Sequence, residues 1–374
     1  MASKKSLTVR ELIINAEKIF HQNRWHLGIV VCPYCGSMHI KEYDNYHYKC
    51  NSCKNRFTDK TNTLLRDSKL PVHVWMQAVY EMVNNNFISS ISLAKKLGIN
   101  QKSAWLIQTK LRSVMNFSDV TLTGVIAQDE MYVGGCLTNY HYGRKLRLLR
   151  EYHLIGKNDT RYSKDAIFTL NRILKYPVFA MNDGNKIVMY AMPNPIKKEY
   201  VRKVFKKHVT GHSIAVADES QLYIDWKKAT GVDIYTNNHH NNQYITLEGL
   251  TSNRIENTFS WYKRGFNSRI THCKRQYHQL YLNEYCFRHN TRNLSIEEKF
   301  AKLISCMIGN VVTYKQIKEY NTVHFFKSKA QLEREAIAEK KRMETLKTMF
   351  RLGFTASDGT IRNNGRIYTA EDFK

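Results

Sequence analysis

The chain has 374 residues, enough for two or three domains with a substantial buried core. Hydrophobic residues make up 43% and charged residues 24%, a composition that excludes an intrinsically disordered chain. The formal net charge is +26, whereas solubility requires a charge of only about 2–8, so we expect a polyanionic partner, DNA above all. The sequence has neither a long apolar run nor a signal-peptide core. We therefore expect an intracellular protein with no membrane partner.

Residues 1–27 are predicted to form a short N-terminal helical segment. Its apolar residues recur at helical spacing: Leu12, Ile13, Ala16, Ile19 and Phe20. The pattern is typical of a short amphipathic helix.

Two Cys-x-x-Cys pairs follow in residues 28–62 and predict a zinc ribbon. The pairs are separated by 14 residues, and the four cysteines are Cys32, Cys35, Cys50 and Cys53. Four thiolates satisfy tetrahedral Zn²⁺, so we predict one structural zinc ion with no position left open for catalysis. The segment between the pairs is predicted to form a hairpin around Asp44-Asn45. The remaining four cysteines are scattered, and no disulfides are expected.

A helix-turn-helix is predicted within residues 63–118. Ser89–Asn100 is predicted to form the first helix and the turn, in which Gly98 permits the left-handed backbone conformation. Gln101–Val114 is then the recognition helix, and its N-terminal residues would face the major groove: Gln101, Lys102 and Ser103. The alternative is an ordinary helical hairpin. The high positive charge favours the DNA-binding interpretation.

Strands and helices alternate through residues 119–325, which predicts a mixed α/β domain. Strands are expected at 121–136, Ile187–Ala191 and Ser213–Ala217, with helices at Lys197–His208 and across 254–290. Asn237–Gln243 reads as a loop. Residues 137–165 are basic and polar, and the sequence assigns them no element.

Three acidic residues stand in separate elements of this domain. Asp129 lies in a predicted strand, Asp218 ends an apolar run, and Glu256 begins a helix. Carboxylates from different rigid elements can hold two Mg²⁺ or Mn²⁺ ions about 4 Å apart for phosphoryl transfer. Lys263 lies seven residues after Glu256, on the same helix face, and could hold DNA backbone.

Other interpretations of these acidic residues remain open. Aspartates at strand ends often cap turns instead of binding metals. Glu130 and Glu219 adjoin the chosen aspartates, but side chains alternate along a strand, so both are expected to point away.

The order of these motifs resembles the bacterial insertion-sequence transposases related to the eukaryotic Merlin elements. The cysteine pairs and the helix-turn-helix precede Asp129-Glu130-Met131-Tyr132-Val133-Gly134-Gly135, then Ala217-Asp218-Glu219, then a block from Asn253 to Gly265 that contains Glu256 and Lys263-Arg264-Gly265. The resemblance covers about residues 25–320. The segment after Gly135 is longer than the family's usual basic linker.

The resemblance implies a ribonuclease-H-like catalytic domain with a mixed five-stranded sheet flanked by helices. It places Asp129 on the first strand, Asp218 after the fourth and Glu256 on a following helix. It also makes Asn253 a rival to Glu256 as a metal ligand, because some relatives carry Asn at the third acidic position. The implied activity is metal-dependent DNA strand cleavage and strand transfer.

The implied partners are double-stranded DNA, both as terminal inverted repeats and as target, and a second copy of the chain on DNA. The expected location is the cytoplasm or nucleoid of a prokaryote, or the nucleus of a eukaryote. The alternative function is a DNA-binding regulator that descends from a transposase and performs no chemistry. That alternative leaves the acidic trio without a role.

A basic and aromatic stretch runs from Asn257 to Asn293. Most of its aromatic residues are expected in the core, and four of its cations are predicted to contact DNA: Arg264, Arg269, Lys274 and Arg275. Its histidines (His272, His278 and His289) are expected to be core or solvated residues rather than ligands. Residues 326–374 are predicted to form a charged helical tail, either a dimerisation helix or a solvated one.

Overall fold

The computed structural model describes residues 9–25, 28–134, 137, 140–210, 212–218, 220–237, 252–270 and 273–318, and short pieces between 337 and 368. The chain divides into two compact units, Met1–Asn321 and Thr322–Lys374. In the second unit, β9 (Ile361–Asn363) and β10 (Arg366–Tyr368) pair as an antiparallel hairpin. Most of the charged helical tail predicted for residues 326–374 lies outside the described residues, and its part at 361–368 forms this hairpin instead of a helix. The Asn/His loop after Asn237, Glu219 and His272 also lie outside the described residues.

The N-terminal segment forms two short helices rather than one, α1 (Val9–Ile14) and α2 (Ala16–Arg24). Ala16 and Phe20 are buried as predicted, but Ile13 is 45% exposed. The predicted single helix is therefore interrupted, because the chain leaves the helical conformation at Asn15.

The cysteine-containing segment folds as a three-stranded antiparallel sheet of β1 (Ile40–Tyr43), β2 (His47–Cys50) and β3 (Arg56–Thr58). The predicted hairpin is confirmed, with a short 3-10 turn between β1 and β2. Asp59 fixes this sheet to α2: its carboxylate oxygens accept hydrogen bonds from Trp25 Nε1 at 2.9 Å and pair with His21 Nδ1 at 2.8 Å.

Three helices follow: α3 (Val72–Asn84), α4 (Ser90–Leu97) and α5 (Gln101–Val114). The last two match the predicted helix-turn-helix. Gly98 ends α4 in the left-handed conformation with φ of 64°, and the Asn100 side chain caps α5 by accepting from the amide of Ser103. Ala104 is fully buried where the two helices meet.

A five-stranded mixed sheet forms the centre of the larger unit. Its strands are β4 (Val125–Val133), β5 (Tyr176–Asn182), β6 (Ile187–Ala191), β7 (Ile214–Asp218) and β8 (Asp233–Asn237). Their order in the sheet is β6-β5-β4-β7-β8; β4, β5 and β6 pair antiparallel, whereas β4, β7 and β8 pair parallel. The strand count and the mixed pairing agree with the expectation from the resemblance.

The connections of this sheet carry the remaining helices. The link from β4 to β5 contains α6 (Tyr142–Glu151) and α7 (Lys164–Leu174), which share a small apolar cluster of their own. This explains the length of the segment after Gly135. The link from β6 to β7 contains α8 (Lys198–His208), and α9 (Trp226–Thr230) precedes β8.

The last helices join the sheet to the helix-turn-helix. α10 (Asn253–Arg269) packs on β4 and β5, and α11 (His278–Asn290) contacts both β6 and α5. α12 (Ile296–Met307) buries its apolar face in the same core as α2 to α5, and α13 (Tyr314–Lys318) ends the described part of this unit. The helix-turn-helix and the sheet are thus packed together within one unit.

Candidate active site and zinc site

Two of the predicted acidic residues lie side by side on adjacent parallel strands, Asp129 in the middle of β4 and Asp218 at the end of β7. The last register pair between β4 and β7 is Ala127 with Val216, and each strand reaches its aspartate two residues further on. Side chains at matching positions of parallel strands point to the same face. Asp129 and Asp218 are therefore neighbours because the sheet pairs in this register.

Glu130 joins this pair, contrary to the expectation that it points away. One carboxylate oxygen from each of Asp129, Glu130 and Asp218 lies within 4.8 Å of the others. The buried hydroxyl of Tyr223, in the 3-10 turn after β7, donates a hydrogen bond to Glu130 Oε1. Alternation fixes only the direction of Cβ, and the longer glutamate side chain reaches back to the cluster and to Tyr223. The adjacent Asp-Glu pair was the sequence signal for this third carboxylate.

The carboxylates of this cluster are partly buried and close enough to repel one another when charged. Burial and the neighbouring Asp218 raise the pKa of Asp129 to about 7. Burial raises the pKa of Glu130 to about 7 as well, against the opposing effect of the Tyr223 hydrogen bond. Groups with a pKa of about 7 are about half protonated at neutral pH, and a bound cation would favour their charged form.

The donor set fits a hard divalent cation. The carboxylate oxygens come from two adjacent strands and are only half buried, so a cation and a substrate can reach them. Oδ1 of Asp218 is buried, and none of the described residues donates a hydrogen bond to it. A buried carboxylate oxygen without a donor is costly, and coordination of a cation would satisfy it.

Glu256 and Lys263 lie on the neighbouring helix α10 and not in the three-carboxylate cluster. Glu256 is exposed in the first turn of the helix and accepts a hydrogen bond of 3.3 Å from Ser252 Oγ. Its charge contributes to the raised pKa of Asp129, after the larger effects of burial and Asp218. Lys263 is exposed two turns further along the same helix. Asn253, the rival third ligand, is the exposed first residue of α10.

The four predicted zinc ligands are brought together in the ribbon. Their sulfur atoms all lie within 4.8 Å of one another, and Cys32–Cys53 and Cys35–Cys50 are each 3.6 Å apart. A tetrahedral ion with Zn–S bonds of about 2.3 Å requires sulfur separations of about 3.8 Å, whereas a disulfide needs about 2.05 Å. The Cys53 amide donates to Cys50 Sγ and lowers the pKa of Cys50 to about 6. The cluster therefore fits one zinc ion bound by thiolates.

The side chains predicted to contact DNA are mostly exposed. Gln101 and Lys102 are exposed at the start of α5, and Ser103 is half buried. Gln101 donates a 3.2 Å hydrogen bond to Ser90 Oγ, which orients it toward α4. The four cations predicted from the 257–293 stretch are all exposed: Arg264, Arg269, Lys274 and Arg275.

Among the histidines of the same stretch, His278 has the core position predicted. His278 is fully buried between two tyrosine hydroxyls, with Nδ1 2.6 Å from Tyr176 and Nε2 3.0 Å from Tyr262. His289 is half buried. Among the described residues, no helix combines the length and the apolar character needed to cross a bilayer.

Comparison with known proteins identifies the central region. Residues 121–290 match the family model of the ISXO2-like transposase domain. Over 122 residues the chain is 27% identical to an uncharacterized protein in transposable element ISH50 of Halobacterium salinarum, a match that covers 32% of this chain and 41% of the relative. The matched part thus spans about two fifths of that relative's length. No solved structure matches the chain.

Proposed function

We propose that this chain is an insertion-sequence transposase, because residues 121–290 match the ISXO2-like transposase domain, and that it cleaves DNA at element ends and joins the freed 3′-hydroxyls to target DNA. We assign the chemistry to a ribonuclease-H-like domain built on the five-stranded sheet. The observation that supports this most directly is the meeting of Asp129 and Glu130 of β4 with Asp218 at the end of β7, beside helix α10.

We propose that Asp129 and Asp218 are the shared ligands of two Mg²⁺ or Mn²⁺ ions and that Glu256 supplies the third carboxylate when DNA is bound. When bound, these ions would lower the pKa of water or a 3′-hydroxyl and compensate charge on the scissile phosphate. Glu130, held by Tyr223, would support the ligand arrangement from the sheet side. Asn253 remains the rival of Glu256.

The other residues of the site bind and orient the substrate. Lys263 offers a positive charge two turns from Glu256 on the open face of α10, suited to a phosphate of the cleaved strand. The carboxylates position the attacking oxygen in line with the leaving one. No Ser or Tyr nucleophile is required, because each step is a direct displacement at phosphorus.

We propose that sequence recognition resides in the N-terminal domains. Gln101, Lys102 and Ser103 would reach base edges from the N-terminus of α5. The zinc ribbon would contact the flanking duplex, together with Arg264, Arg269, Lys274 and Arg275 on backbone phosphates. Two element ends must be joined, so we expect at least two copies of the chain on DNA.

The decisive experiment incubates the full chain with DNA that carries the element ends and with Mg²⁺ or Mn²⁺. Asp129→Asn and Asp218→Asn should each abolish cleavage while binding to the ends persists. Asp165→Asn, which changes an exposed aspartate in the first turn of α7, is the charge-matched control and should cleave normally. Wild-type cleavage by Asp129→Asn would overturn the assignment. Binding without any cleavage by the wild-type chain would favour a silent regulator.

Two further variants separate the candidate third carboxylates. Glu256→Gln should abolish cleavage, whereas Glu130→Gln should reduce it and leave some activity, because Glu130 acts from the sheet side. The reverse ranking would assign the third ligand to Glu130. A loss of activity in Asn253→Ala but not in Glu256→Gln would favour Asn253.

A further inference from the structure

A cleft of about 640 Å³ lies beside α10, away from the carboxylate cluster. Helices α10 and α11 form two of its walls, and the turn after β5 and the first turns of α12 complete it. None of its lining residues is acidic, and four are cationic: Arg254, Arg288, Arg292 and Lys299. A cleft with this charge is suited to an anionic ligand.

Two of these cations are used to hold the fold. Arg288 donates to the carbonyl oxygens at the end of α3, including Met82 at 2.8 Å. Arg292 donates to the carbonyl oxygens of Gly184 and Asn185. In contrast, none of the described residues accepts a hydrogen bond from the side chain of Arg254 or Lys299. These two cations are therefore available to a ligand.

Trp261 is the aromatic residue at the mouth of the cleft, and it is 63% exposed. It contradicts the pattern of the stretch, in which Phe259, Tyr262 and Phe266 are buried as predicted. The guanidinium carbon of Arg264 lies 5.3 Å from the centroid of its ring. An exposed tryptophan beside cations is typical of surfaces that stack nucleic-acid bases.

Helix α10 connects the cleft to the acidic site. Arg254 and Trp261 lie two turns apart on its cleft side, and Glu256 and Lys263 lie two turns apart about 140–160° round the helix axis. All four residues are exposed. A strand that leaves the carboxylates can thus follow the open face of this helix into the cleft.

We propose that this cleft binds a short unpaired segment of DNA strand, with Arg254 and Lys299 on its phosphates and Trp261 stacked on a base. An unpaired strand is favoured over duplex because paired bases present only their edges in the grooves, whereas the ring of Trp261 needs an open base face. This inference rests on the proposed function, since strand cleavage and joining leave unpaired strand near the site.

The test measures binding of a fluorescent oligothymidylate of about ten nucleotides, a length within the range of single-strand sites, and of a duplex of equal length. The protein is the full chain carrying Asp129→Asn, without divalent cations, so that no cleavage occurs. Trp261→Ala should weaken oligothymidylate binding by about five- to a hundredfold, the range for loss of one stacked base, and change duplex binding less than about twofold. Trp261→Phe should recover most of the affinity.

The cations are tested by the salt dependence of the same binding. The double variant Arg254→Gln with Lys299→Gln should bind with a weaker salt dependence. The slope of log affinity against log salt concentration should become smaller in magnitude by about 1–2. The control is Lys157→Gln with Lys197→Gln, which removes the same charge from exposed positions outside the cleft and should change the slope by less. Oligothymidylate binding that is unaffected by Trp261→Ala, or equal slopes in the two double variants, would overturn the inference.

These outcomes distinguish a failure of this inference from a failure of the proposed function. Single-strand binding that depends on Trp261, in a chain that never cleaves DNA, would keep this inference and reject the proposed function. Cleavage that depends on Asp129, with no contribution of Trp261 to binding, would do the opposite.

Discussion

Arg112 on α5 and Glu284 on α11 form a fully buried ion pair, with Arg112 Nε 2.7 Å from Glu284 Oε2. The guanidinium also lies over the ring of Tyr281, 4.1 Å from its centroid. The helix predicted to read DNA is therefore joined to a helix that packs on β6 of the central sheet. Asn283 reinforces the junction by donating to the backbone carbonyl of Arg112 at 3.2 Å.

Removal of one partner of this pair should destabilise the protein strongly. Arg112→Met leaves the Glu284 carboxylate buried without its cation, and we expect a loss of about 3–5 kcal/mol in the free energy of unfolding. The double variant Arg112→Met with Glu284→Leu should recover most of that loss, because neither charge remains. Urea denaturation of the three proteins measures both effects. A double variant that is no more stable than Arg112→Met would contradict the expected recovery.

The same pair shows why sequence reasoning finds some features and not others. The bounds of α5 follow from local chemistry, since Asn100 caps its first turn and Gly98 ends the helix before it. The contact of Arg112 with Glu284 joins positions far apart in the sequence, and nothing local to either residue indicates it. Local signals therefore predicted the element and missed the junction.

The sheet shows a similar division. β6 and β7 were predicted because each is a short apolar run next to turn residues. β5 was not predicted because it includes Pro177, and proline argues against a strand inside a sheet. Glu130 was misplaced because its position in the cluster depends on Tyr223, which is 93 residues away in the sequence.

The ribbon should contain one zinc ion that is needed for its fold. Cys50→Ser removes a buried thiolate from the cluster, and we expect zinc content to fall from one ion per chain to well below one, with unfolding of the three-stranded sheet. Elemental analysis and amide exchange of residues 40–58 measure these effects. Cys306→Ser, which changes a half-buried cysteine outside the cluster, should retain the metal. Full zinc content in Cys50→Ser would contradict the four-cysteine site.

Cation binding at the acidic cluster should depend on pH near neutrality. The pKa of Asp129 and that of Glu130 are each raised to about 7, so Asp129 must lose its proton before it binds Mn²⁺, and the bound cation would also displace the proton of the neighbouring Glu130. Apparent affinity should therefore fall as pH decreases below 7, by about tenfold per pH unit for each proton displaced.

Calorimetric titration of Mn²⁺ in buffers of different ionisation enthalpy counts the protons released. Release should approach zero at a pH well above 7, where the carboxylates are already charged. Asp218→Asn should reduce release at pH 7, since Asp218 contributes to the raised pKa of both neighbours, although it also weakens the affinity. An affinity for Mn²⁺ that stays constant from pH 6 to pH 8 would rule out carboxylates with raised pKa values at this site.

His278 should make the folded protein less stable in mild acid. Burial lowers its pKa from 6.5 to about 3 in the folded state. Above pH 6.5 the ring is neutral in both states, whereas below that pH the unfolded chain gains a proton that the folded chain does not bind. Stability is therefore lost as pH falls from 6.5 toward 3, at up to about 1.4 kcal/mol per pH unit.

Urea denaturation at a series of pH values from 7 to 5 tests this dependence. His278→Gln should be less stable than the wild type at pH 7, because the Tyr176 and Tyr262 hydroxyls lose their shared partner. Its free energy of unfolding should nevertheless fall less steeply with decreasing pH. His47→Gln changes an exposed histidine on β2, whose ring stays in contact with water. Its free energy of unfolding should therefore change with pH as steeply as that of the wild type. Equal slopes in His278→Gln and the wild type would mean that the buried ring accepts a proton when the protein is folded.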